Sequence, residues 1–530
     1  MLLMNVKNVN YSIGTKQFFS IDELSIYRGD RIGLIGKNGQ GKSLLLQYLF
    51  NLTDQKPSVE WFGTKEYFKQ LRSEEMDSYL SGGEKTIKGL NSIFSKKPDL
   101  LFLDEPSNNL DWNRIEELEK RLQKYNGAFV LVSHDRALLN TVCNKIWELE
   151  EGQFSQYEGN YNSYHEQKER ELHEHEEKFQ AYQKEKKRLQ ERYYKKQQQA
   201  KNMDRPPSRM GNSEWQLYKN KAAGKRGKVE RVSTVLKERI ERLEKVEKPF
   251  EWDSVKMDYV LQTPIHKKTL LQCKELEKTI EGQILYKTKG LKLKTGSKTA
   301  LIGSNGSGKT TLINQLFAEG EEIEVAQNVK VGYFHQSIEA LPHDETILQF
   351  VEKGSTLPKH IIRIILARLR FFENDVNKSI NILSGGERVK VAIAKLLVGD
   401  YNLLILDEPT NHIDLDTLKA IEGLINDYPG TVLVVSHDRE FVQRTAEKLW
   451  IIKDQKVSMF DGSIEFWQRS KQKPKRLEKN EAEILTLETK LSELLSRLSI
   501  PSPKDDFEEL DKQYQDVLRK LRQIKEVKDE

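Results

Sequence analysis

One glycine-rich motif occurs twice in this chain, and the two copies stand 267 positions apart. The pattern GxxxxGK[ST] fits residues 36–43 and again residues 303–310. Each copy follows a short apolar run that predicts a strand, 32–35 or 300–302, and precedes a leucine-rich run that predicts a helix. Glycines at such a turn let backbone N–H groups approach phosphate, the lysine neutralises its charge, and the hydroxyl is a ligand for Mg²⁺. The sequence therefore predicts an α/β fold with two P-loop domains, each built to bind the phosphates of a nucleotide.

The candidate nucleotide-binding residues come from these two loops. A single match could be a glycine turn before a helix, but two matches in the same strand–turn–helix context make that explanation poor. The first loop contributes Gly36, Asn38, Gly39, Gly41, Lys42 and Ser43, and the second contributes Gly303, Asn305, Gly306, Gly308, Lys309, Thr310 and Thr311.

Four further elements follow each loop in the same order. They are a glutamine after an aromatic strand end, an LSGGE sequence, an apolar strand that ends in Asp-Glu-Pro, and a Ser-His-Asp triplet. Alone, the Asp-Glu pair would be read as a solvated turn and the triplet as a strand end. A serine protease triad is excluded, because its members converge from separate chain segments rather than standing side by side. Because the four elements recur in the same order after both P-loops, we favour a functional interpretation over a solvated turn and a strand end. The elements are Gln70 and Gln336, residues 80–84 and 383–387, Asp104-Glu105 and Asp407-Glu408, and residues 133–135 and 436–438.

The order of these motifs resembles that of ABC ATPases, with P-loop, Q-loop, signature, Walker B and switch histidine. The resemblance implies two ATP-binding cassettes that use ATP and Mg²⁺. It also implies a role for each matching residue, since hydrolysis needs an activated water, a metal ion and charge neutralisation on the γ-phosphate. Glu105 and Glu408 would be general bases, and His134 and His437 would contact the γ-phosphate. Ser43 and Thr310 would bind the metal directly, and Asp104 and Asp407 would bind it through water. Gln70 and Gln336 would sense the metal and the γ-phosphate.

In ABC ATPases the signature of one cassette covers the nucleotide bound by the other. By this resemblance Ser81, Gly82 and Gly83 would cover ATP on Lys309, and Ser384, Gly385 and Gly386 would cover ATP on Lys42. Tyr11 stands where the family stacks an aromatic ring on adenine, whereas the matching position of the second copy is Lys278. A plain aromatic at the sheet edge is the alternative reading of Tyr11.

The two cassettes differ in build. The glutamines stand 266 positions apart, but the signature, Walker B and histidine motifs all stand 303 positions apart. The second cassette therefore has about 37 extra residues between Gln336 and Leu383. They include 361–372, which has the pattern of an amphipathic helix. In the first cassette only nine residues separate Gln70 from Leu80, which predicts a trimmed helical subdomain.

The segment between the cassettes is rich in Lys, Glu, Gln and Arg, with sparse apolar residues at helical spacing. This pattern predicts two helices that pair as an antiparallel coiled coil. Two prolines in 204–208 break the helix, so the tip is expected near 200–224. Arms of about 35 residues would extend on the order of 50 Å.

Cations and aromatic rings mix at this tip, a combination that suits phosphate contact and base stacking. The alternative is an ordinary solvated charged surface. The candidate RNA-contacting residues are Lys201, Arg205, Arg209, Trp215, Tyr218 and Lys219.

Four domains are predicted: a first cassette over 1–160, the helical linker over 161–255, a second cassette over 256–470 and a C-terminal extension over 471–530. Leucines at helical spacing on both sides of Pro501 and Pro503 predict that the extension is a helical hairpin. No apolar run approaches the roughly 18 to 20 residues that cross a bilayer, and no signal peptide is visible. Two distant cysteines suggest neither a disulfide framework nor a zinc site. A cytoplasmic protein without a membrane part is expected.

A tandem cassette, the Walker B sequence of residues 407–414 and a helical linker after residues 157–161 together resemble the ABC-F family of translation factors. Within that family the trimmed first subdomain, long linker and C-terminal extension resemble the Vga-type antibiotic-resistance factors. The resemblance implies a monomer whose two cassettes pair within the chain. It would bind the bacterial 70S ribosome at the exit site, beside 23S rRNA and P-site tRNA, and insert its linker toward the peptidyl-transferase centre. Such factors release lincosamides, pleuromutilins and streptogramin A.

Two other readings remain open from the sequence. The first is a housekeeping ABC-F translation factor without drug protection. The second, less favoured, is a transporter ATPase subunit, which would dock a membrane partner on both helical subdomains, although the first is trimmed here. Repair ATPases of the superfamily carry zinc modules or far longer coiled coils than this chain can supply.

Overall fold

The computed structural model describes residues 1–14, 16–53, 59–69, 82–108, 110–202, 212–246, 263–280, 282–318, 322–335, 342, 344–372, 374–410, 413–472, 487, 490–491, 494–495 and 507–526. Over these residues the chain forms two α/β cassettes and, between them in sequence, two long helices. The predicted fold class is confirmed.

The described strands of the first cassette form one twisted sheet in the order β4-β1-β2-β9-β8-β3-β7-β6-β5. The first four strands in this order pair mainly antiparallel, and the last four are parallel. The strands are β1 (Leu2–Ile13), β2 (Lys16–Tyr27), β3 (Arg31–Gly36), β4 (Val59–Trp61), β5 (Lys65–Phe68), β6 (Leu100–Asp104), β7 (Ala128–Val132), β8 (Lys145–Glu150) and β9 (Gln153–Glu158).

The second cassette repeats this plan, but its antiparallel part is divided. One described sheet has the order β11-β12-β20-β19-β14-β18-β17-β16, and a small sheet has the order β13-β10-β15. The strands are β10 (Thr269–Cys273), β11 (Glu275–Ile280), β12 (Gln283–Lys289), β13 (Lys292–Lys294), β14 (Lys298–Gly303), β15 (Ile323–Val325), β16 (Val331–Phe334), β17 (Leu403–Asp407), β18 (Thr431–Val435), β19 (Lys448–Lys453) and β20 (Lys456–Asp461).

Helices occur in both cassettes, in the linker and in the C-terminal extension. They are α1 (Lys42–Phe50), α2 (Gly82–Ser95), α3 (Trp112–Gln123), α4 (Arg136–Val142), α5 (Tyr161–Asn202), α6 (Asn212–Glu241), α7 (Lys309–Leu316), α8 (Ile347–Glu352), α9 (Lys359–Arg368), α10 (Gly385–Val398), α11 (Leu415–Asp427), α12 (Arg439–Thr445), α13 (Ile464–Gln472) and α14 (Phe507–Glu526), with 3-10 turns at Asp375–Asn377 and Ile380–Ile382.

Strand order brings the motifs together. In each cassette the P-loop strand lies beside the strand that precedes the switch histidine, and that strand lies beside the Walker B strand. These central strands, β7, β6, β18 and β17, are buried along their whole length. Because parallel strands end at the same edge of a sheet, their polar termini meet in one crevice.

The extra segment of the second cassette folds as a small helical subdomain that packs through Ile362, Ile365 and Leu366 into the core. The predicted helix over 361–372 is correct in position but not in length, because α9 ends at Arg368. Arg370 has a φ of 67°, and the N–H of Phe371 donates to the carbonyl of Leu366 at 2.9 Å. This left-handed reversal satisfies the last carbonyls of the helix and stops it.

The linker begins with α5 at Tyr161, whose ring is buried in the core of the first cassette together with Leu415 of the second. The α5 helix has 42 residues and α6 has 30, so the arms extend roughly 60 and 45 Å at about 1.5 Å per residue. The two helices pack against each other, with Leu189 buried. Part of the predicted tip, from residue 212 onward, is the beginning of α6.

The C-terminal extension forms a small apolar cluster in which Leu494 contacts the α14 side chains Leu510 and Val517. This packing agrees with the predicted pairing of two helical segments. Among the described helices of the whole chain, none combines the length and apolar character that a membrane crossing requires.

Candidate functional site

The second P-loop connects β14 to α7 through two glycines with positive φ, Gly306 at 75° and Gly308 at 90°. A Cβ at Gly308 would stand 2.7 Å from Leu285, so both the backbone angle and the space require glycine. The Lys309 ammonium turns back over the loop and donates to the carbonyls of Gly303 at 3.1 Å and Ser304 at 3.2 Å. The loop therefore folds as a phosphate cradle with its lysine already in place.

The first P-loop has the same conformation, with φ of 77° at Gly39 and 100° at Gly41. The Lys42 ammonium donates to the carbonyl of Gly36 at 2.7 Å and to Oδ1 of Asn38 at 3.4 Å. Burial lowers the pKa of Lys42, while Glu105, Asp414 and Asp104 oppose that shift. Asp414 belongs to the second cassette, so this lysine lies in the electrostatic field of both cassettes.

A hydroxyl and a carboxylate meet at the end of each Walker B strand. The Ser43 hydroxyl donates to Asp104 Oδ1 at 3.0 Å, and the Thr310 hydroxyl donates to Asp407 Oδ2 at 3.0 Å. Burial raises the pKa of Asp104 to about 6, with the Ser43 hydrogen bond opposing the shift. Hydroxyl and carboxylate oxygens are the ligands that Mg²⁺ prefers, so both pairs fit the metal.

Sequence reasoning missed a tyrosine in each of these clusters. The Tyr67 phenol donates to Asp104 Oδ2 at 3.2 Å, and the Tyr333 phenol donates to Asp407 Oδ2 at 3.4 Å. The two tyrosines stand 266 positions apart, the same spacing as the two glutamines. That spacing is the signal that could have revealed them.

The predicted general bases adopt the same unusual backbone conformation. Glu105 has a φ of 48° and Glu408 a φ of 50°, in the left-handed region that a glutamate rarely occupies. The N–H of each still donates to the adjacent strand, to Val132 and Val435, at 2.9 Å. Backbone strain of this kind persists where the surrounding structure fixes it, commonly at functional sites.

Each glutamate lies next to its predicted switch histidine. The distance from His437 Nε2 to Glu408 Oε1 is 3.3 Å, and from His134 Nε2 to Glu105 Oε1 it is 3.6 Å. Burial raises the pKa of Glu408 to about 8 and lowers that of His437 to about 3. Lys309 Nζ lies 3.1 Å from His437 Nε2. Because an ammonium can only donate, this contact fits a neutral imidazole that accepts at Nε2.

The two cassettes together enclose the second site. A cavity of about 600 Å³ is lined by Lys309, Glu408 and His437 from the second cassette and by Gly82 and Gly83 from the first. Predicted residues from both cassettes therefore face one space. The other predicted residues that line it are Asn305, Gly306, Gly308, Thr310, Thr311, His134 and Asp407.

A further contact crosses this site and was not foreseen from the sequence. Asp111 caps α3 by accepting from the N–H of Arg114 at 3.1 Å, and its second oxygen accepts from the N–H of Asn305 at 3.1 Å. Asn305 lies in the opposite P-loop. Asp414, 303 positions later, caps α11 in the same way but lies 3.8 Å from Lys390 Nζ. Lys390 belongs to the same cassette as Asp414, and the residue that corresponds to it in the first cassette is Ile87, so the two aspartates have different surroundings.

The second signature begins α10 with a capping box. The N–H of Glu387 donates to the Ser384 hydroxyl at 3.4 Å, and a Glu387 carboxylate oxygen accepts from the N–H of Ser384 at 2.9 Å. Gly385 and Gly386 form the first turn, with their backbone N–H groups at the positive end of the helix. That they cover ATP on Lys42 stays a prediction.

Some predicted site residues lie outside the described part of the chain. These are Gln70, Gln336, Ser81, Arg205 and Arg209, together with the side chains of Trp215, Tyr218 and Lys219. Lys201 is exposed in the last turn of α5.

The prediction that Tyr11 stacks on adenine is wrong. Its ring is 7% exposed and packs in the sheet core, stacked on Phe19 at 5.3 Å and edge-on to Tyr48 at 5.3 Å. Strand alternation is the physical reason, because Tyr11 points to the inner face of β1, where the apolar core excludes a nucleotide. Tyr11 is therefore a structural aromatic residue of the first sheet.

A different residue lies against the P-loop. A Cβ at Gly41 would stand 3.1 Å from the ring of Phe18, which is half-buried. The corresponding residue 267 positions later is Leu285, which lines the second cavity together with Ile280. We therefore expect Phe18 to contact the nucleobase in the first site and aliphatic side chains to do so in the second.

Substitution of Phe18 tests whether Phe18, rather than Tyr11, contacts the nucleobase in the first site. In a Lys309→Ala background, where the first site alone retains its P-loop lysine, Phe18→Ala should weaken binding of a fluorescent ATP analogue about 10-fold, since base–aromatic stacking contributes about 1–3 kcal/mol. Tyr11→Phe in the same background is the matched control and should change binding less than about 2-fold, because the ring remains in the core. Equal losses in the two variants would contradict the assignment.

Known proteins share this organisation. The sequence pattern of the family described as ABC transporter matches residues 286–411. The ribosome protection protein VmlR of Bacillus subtilis is 31% identical over an alignment of 566 positions, which covers 98% of each chain. The erythromycin resistance ATP-binding protein MsrA of Staphylococcus epidermidis is 32% identical, covering 85% of this chain and 97% of its own. The archaeal ribosome recycling factor aABCE1 shares the fold with a TM-score of 0.56 at 19% identity, covering 84% of this chain and 87% of its own.

Two P-loop cassettes with paired Walker B carboxylates, adjacent glutamates and switch histidines define an ATP-hydrolysing ABC-type enzyme. The match to VmlR over nearly the whole chain identifies the family within the ABC-type ATPases. The chain belongs to the ABC-F family of ATPases, and antibiotic-resistance proteins are among its relatives, as the resemblance read from the motifs implies.

Proposed function

We propose that this chain is an ATP-driven ribosome-binding factor that protects bacterial 70S ribosomes from antibiotics. It binds at the exit site, beside 23S rRNA and P-site tRNA, and inserts the α5–α6 linker toward the peptidyl-transferase centre. There it releases lincosamides, pleuromutilins and streptogramin A. One combination carries the proposal: cassettes that close on each other, a long helical arm anchored between them, and a relative named as a ribosome protection protein over 98% of the chain.

The catalytic part of the proposal follows from the described contacts. Glu408 and Glu105 are placed by their backbone at the end of Walker B, where a carboxylate can orient and activate a water molecule. Lys309 and Lys42 place positive charge over the P-loops, where the β- and γ-phosphates bind.

The other groups complete each site. Ser43 with Asp104, and Thr310 with Asp407, would hold Mg²⁺, which supplies charge neutralisation on the phosphates when bound. His437 remains a neutral hydrogen-bonding partner beside Glu408, because burial lowers its pKa to about 3. Residues of both cassettes line the second site, so approach of the cassettes around a bound nucleotide would reduce its contact with solvent.

The arm is anchored where it can respond to cassette closure. Tyr161 lies in the core of the first cassette next to Leu415, and the Tyr164 phenol donates to Glu148 Oε1 at 2.6 Å. Lys168 Nζ pairs with Glu148 at 2.8 Å. Since the base of α5 touches both cassettes, a change in their relative position must move the arm.

Expression in a drug-sensitive bacterium tests the protective function. The chain should raise the minimum inhibitory concentration of a lincosamide, a pleuromutilin and streptogramin A on the order of 10-fold, as expected if each drug's effective affinity for the ribosome falls by about 1.4 kcal/mol. Lys42→Ala with Lys309→Ala, which removes both P-loop lysines, is the inactive control and should give the tolerance of the empty vector.

The choice of drugs distinguishes the alternatives. Erythromycin belongs in the same panel because MsrA is named for resistance to it. If tolerance rose to erythromycin alone, the chain would protect against a different class of drug from the three proposed. Unchanged tolerance to every drug would favour a housekeeping translation factor of the same family.

A further inference from the structure

Two arginines directly follow the Ser-His-Asp triplets, and they play no part in the site described above. Arg136 begins α4 and Arg439 begins α12, with 303 positions between them. The aspartates before them, Asp135 and Asp438, cap the two helices by accepting from the N–H groups of Leu138 and Phe441, both at 2.9 Å. Each arginine is therefore placed two residues after a switch histidine at a rigid helix start.

Arg136 reaches from the first cassette into the second. Its guanidinium forms two hydrogen bonds with the Glu422 carboxylate of α11, one of them at 3.4 Å between Nη1 and Oε2. Arg136 is fully buried, and the Glu422 side chain is 5% exposed. Arg136 Nε also lies 3.6 Å from Glu440. Burial lowers the pKa of Arg136, but its hydrogen bond to Glu422 and the surrounding carboxylates more than reverse this shift.

Arg439 makes the reciprocal contact. Its Nη1 donates to both carboxylate oxygens of Glu119, in α3 of the first cassette, at 3.1 and 3.2 Å. Its guanidinium lies over the Trp112 ring at 5.4 Å from the centroid. Glu119 and Glu422 also stand 303 positions apart, so the two pairs are related by exchange of the cassettes.

Every partner in these pairs comes from the opposite cassette. Separation of the cassettes must therefore break both pairs together and return four charged groups to water. Exposed ion pairs contribute little, but a bidentate, desolvated Arg–carboxylate pair fixes geometry, and removal of one partner leaves a buried charge without compensation. The pairs can thus select one arrangement of the two cassettes.

We propose that Arg136 with Glu422 and Arg439 with Glu119 form a reciprocal latch that stabilises the closed cassette pair. The four are positioning residues for ATP hydrolysis, since they contact neither the P-loops nor the Walker B carboxylates. Closure places Gly82 and Gly83 opposite Lys309 and brings Asp111 to the P-loop residue Asn305. The latch therefore determines how readily the bound nucleotides are enclosed. This inference concerns the ATPase reaction and holds whether or not the ribosome is the target.

Charge reversal with partner-specific rescue tests the latch in the full-length chain, with steady-state ATPase activity as the readout. Arg136→Glu and Glu422→Arg should each raise the KM for ATP on the order of 30-fold, the range seen when one member of a buried interfacial charge pair is lost. At saturating ATP the nucleotides drive closure, so kcat should fall less than about 3-fold. The double variant Arg136→Glu with Glu422→Arg should return KM to within about 3-fold of the original chain, because the pair is restored with reversed polarity.

Two controls give the result its meaning. Arg136→Glu with Glu119→Arg combines the same charges in the wrong pair and should not recover. Arg121→Glu reverses an arginine of an exposed pair within α3, with Glu117, and should leave KM unchanged. Thermal unfolding without nucleotide identifies variants that fold.

The proposal is overturned if the folded matched double variant has a KM no better than the single variants, or if the mismatched pair recovers equally well. Where the buried exchange does not fold, the same exchange at Arg439 and Glu119, which are 18% and 11% exposed, decides the question by the same criterion.

Discussion

The double variant Glu105→Gln with Glu408→Gln should lose ATP hydrolysis and remain on 70S ribosomes in the presence of ATP. General-base catalysis contributes about 10²–10⁴-fold, so kcat should fall on the order of 10³-fold. Glutamine keeps the size and one oxygen of each side chain, and the strained backbone at these positions is unchanged. ATP should therefore still bind and close the cassettes, and the arm should stay inserted. The measurement is the rate of phosphate release, combined with sedimentation through a sucrose cushion.

Matched variants separate the two parts of this prediction. Glu151→Gln changes an exposed glutamate and should preserve both turnover and release from ribosomes. The single variants Glu105→Gln and Glu408→Gln compare the two sites, since Asp111 contacts the P-loop of the opposite cassette, whereas Asp414 lies near Lys390 of its own cassette. A double variant that binds ATP but sediments free of ribosomes would refute ribosome binding and leave the ATPase assignment intact.

The second large effect is expected at the tip of the linker. Trp215→Ala, Tyr218→Ala and Lys219→Ala together should reduce drug tolerance to the level of the empty vector. Each aromatic ring stacked on a base contributes about 1–3 kcal/mol, so loss of two should weaken tip binding on the order of 100-fold. The ATPase rate of the free protein should change less than about 2-fold, because distant substitutions are energetically independent of the cassettes.

A mid-arm variant is the control for this experiment. Lys184→Ala, Lys187→Ala and Tyr194→Ala remove two cations and an exposed ring from α5 and should retain most of the protection. Equal tolerance in the tip variant and the original chain would contradict the assignment of the tip to RNA contact. Equal loss in both variants would assign the effect to the arm as a whole.

The sequence predicted the chemistry well because the relevant motifs are local. A P-loop, its lysine and the following hydroxyl lie within eight residues, and their geometry follows from glycine conformations and a helix start. Walker B likewise needs one buried strand with acids at its end. The structure places Lys42, Ser43 and Asp104, and Lys309, Thr310 and Asp407, as these local rules expect.

Contacts between distant segments are harder to predict from the sequence. The adenine-stacking role given to Tyr11 failed because a family position does not reveal which face of a strand a side chain occupies. The sequence pattern extends α9 too far, because Arg370 adopts a left-handed conformation that propensity does not predict. Tyr67 and Tyr333 were overlooked because a lone tyrosine in a strand carries no signal until the repeat is aligned.

The sequence alone determined the repeated cassettes, the ATP chemistry, the asymmetry between the two halves and the existence of a long helical arm. All of these depend on patterns within short segments or on the spacing between two copies. Only the tertiary structure decided which residues of one cassette meet the other. Pairing of Arg136 with Glu422 and Arg439 with Glu119 joins residues 286 and 320 positions apart. Such contacts depend on how two folded surfaces pack, and no local rule of spacing or propensity contains that information.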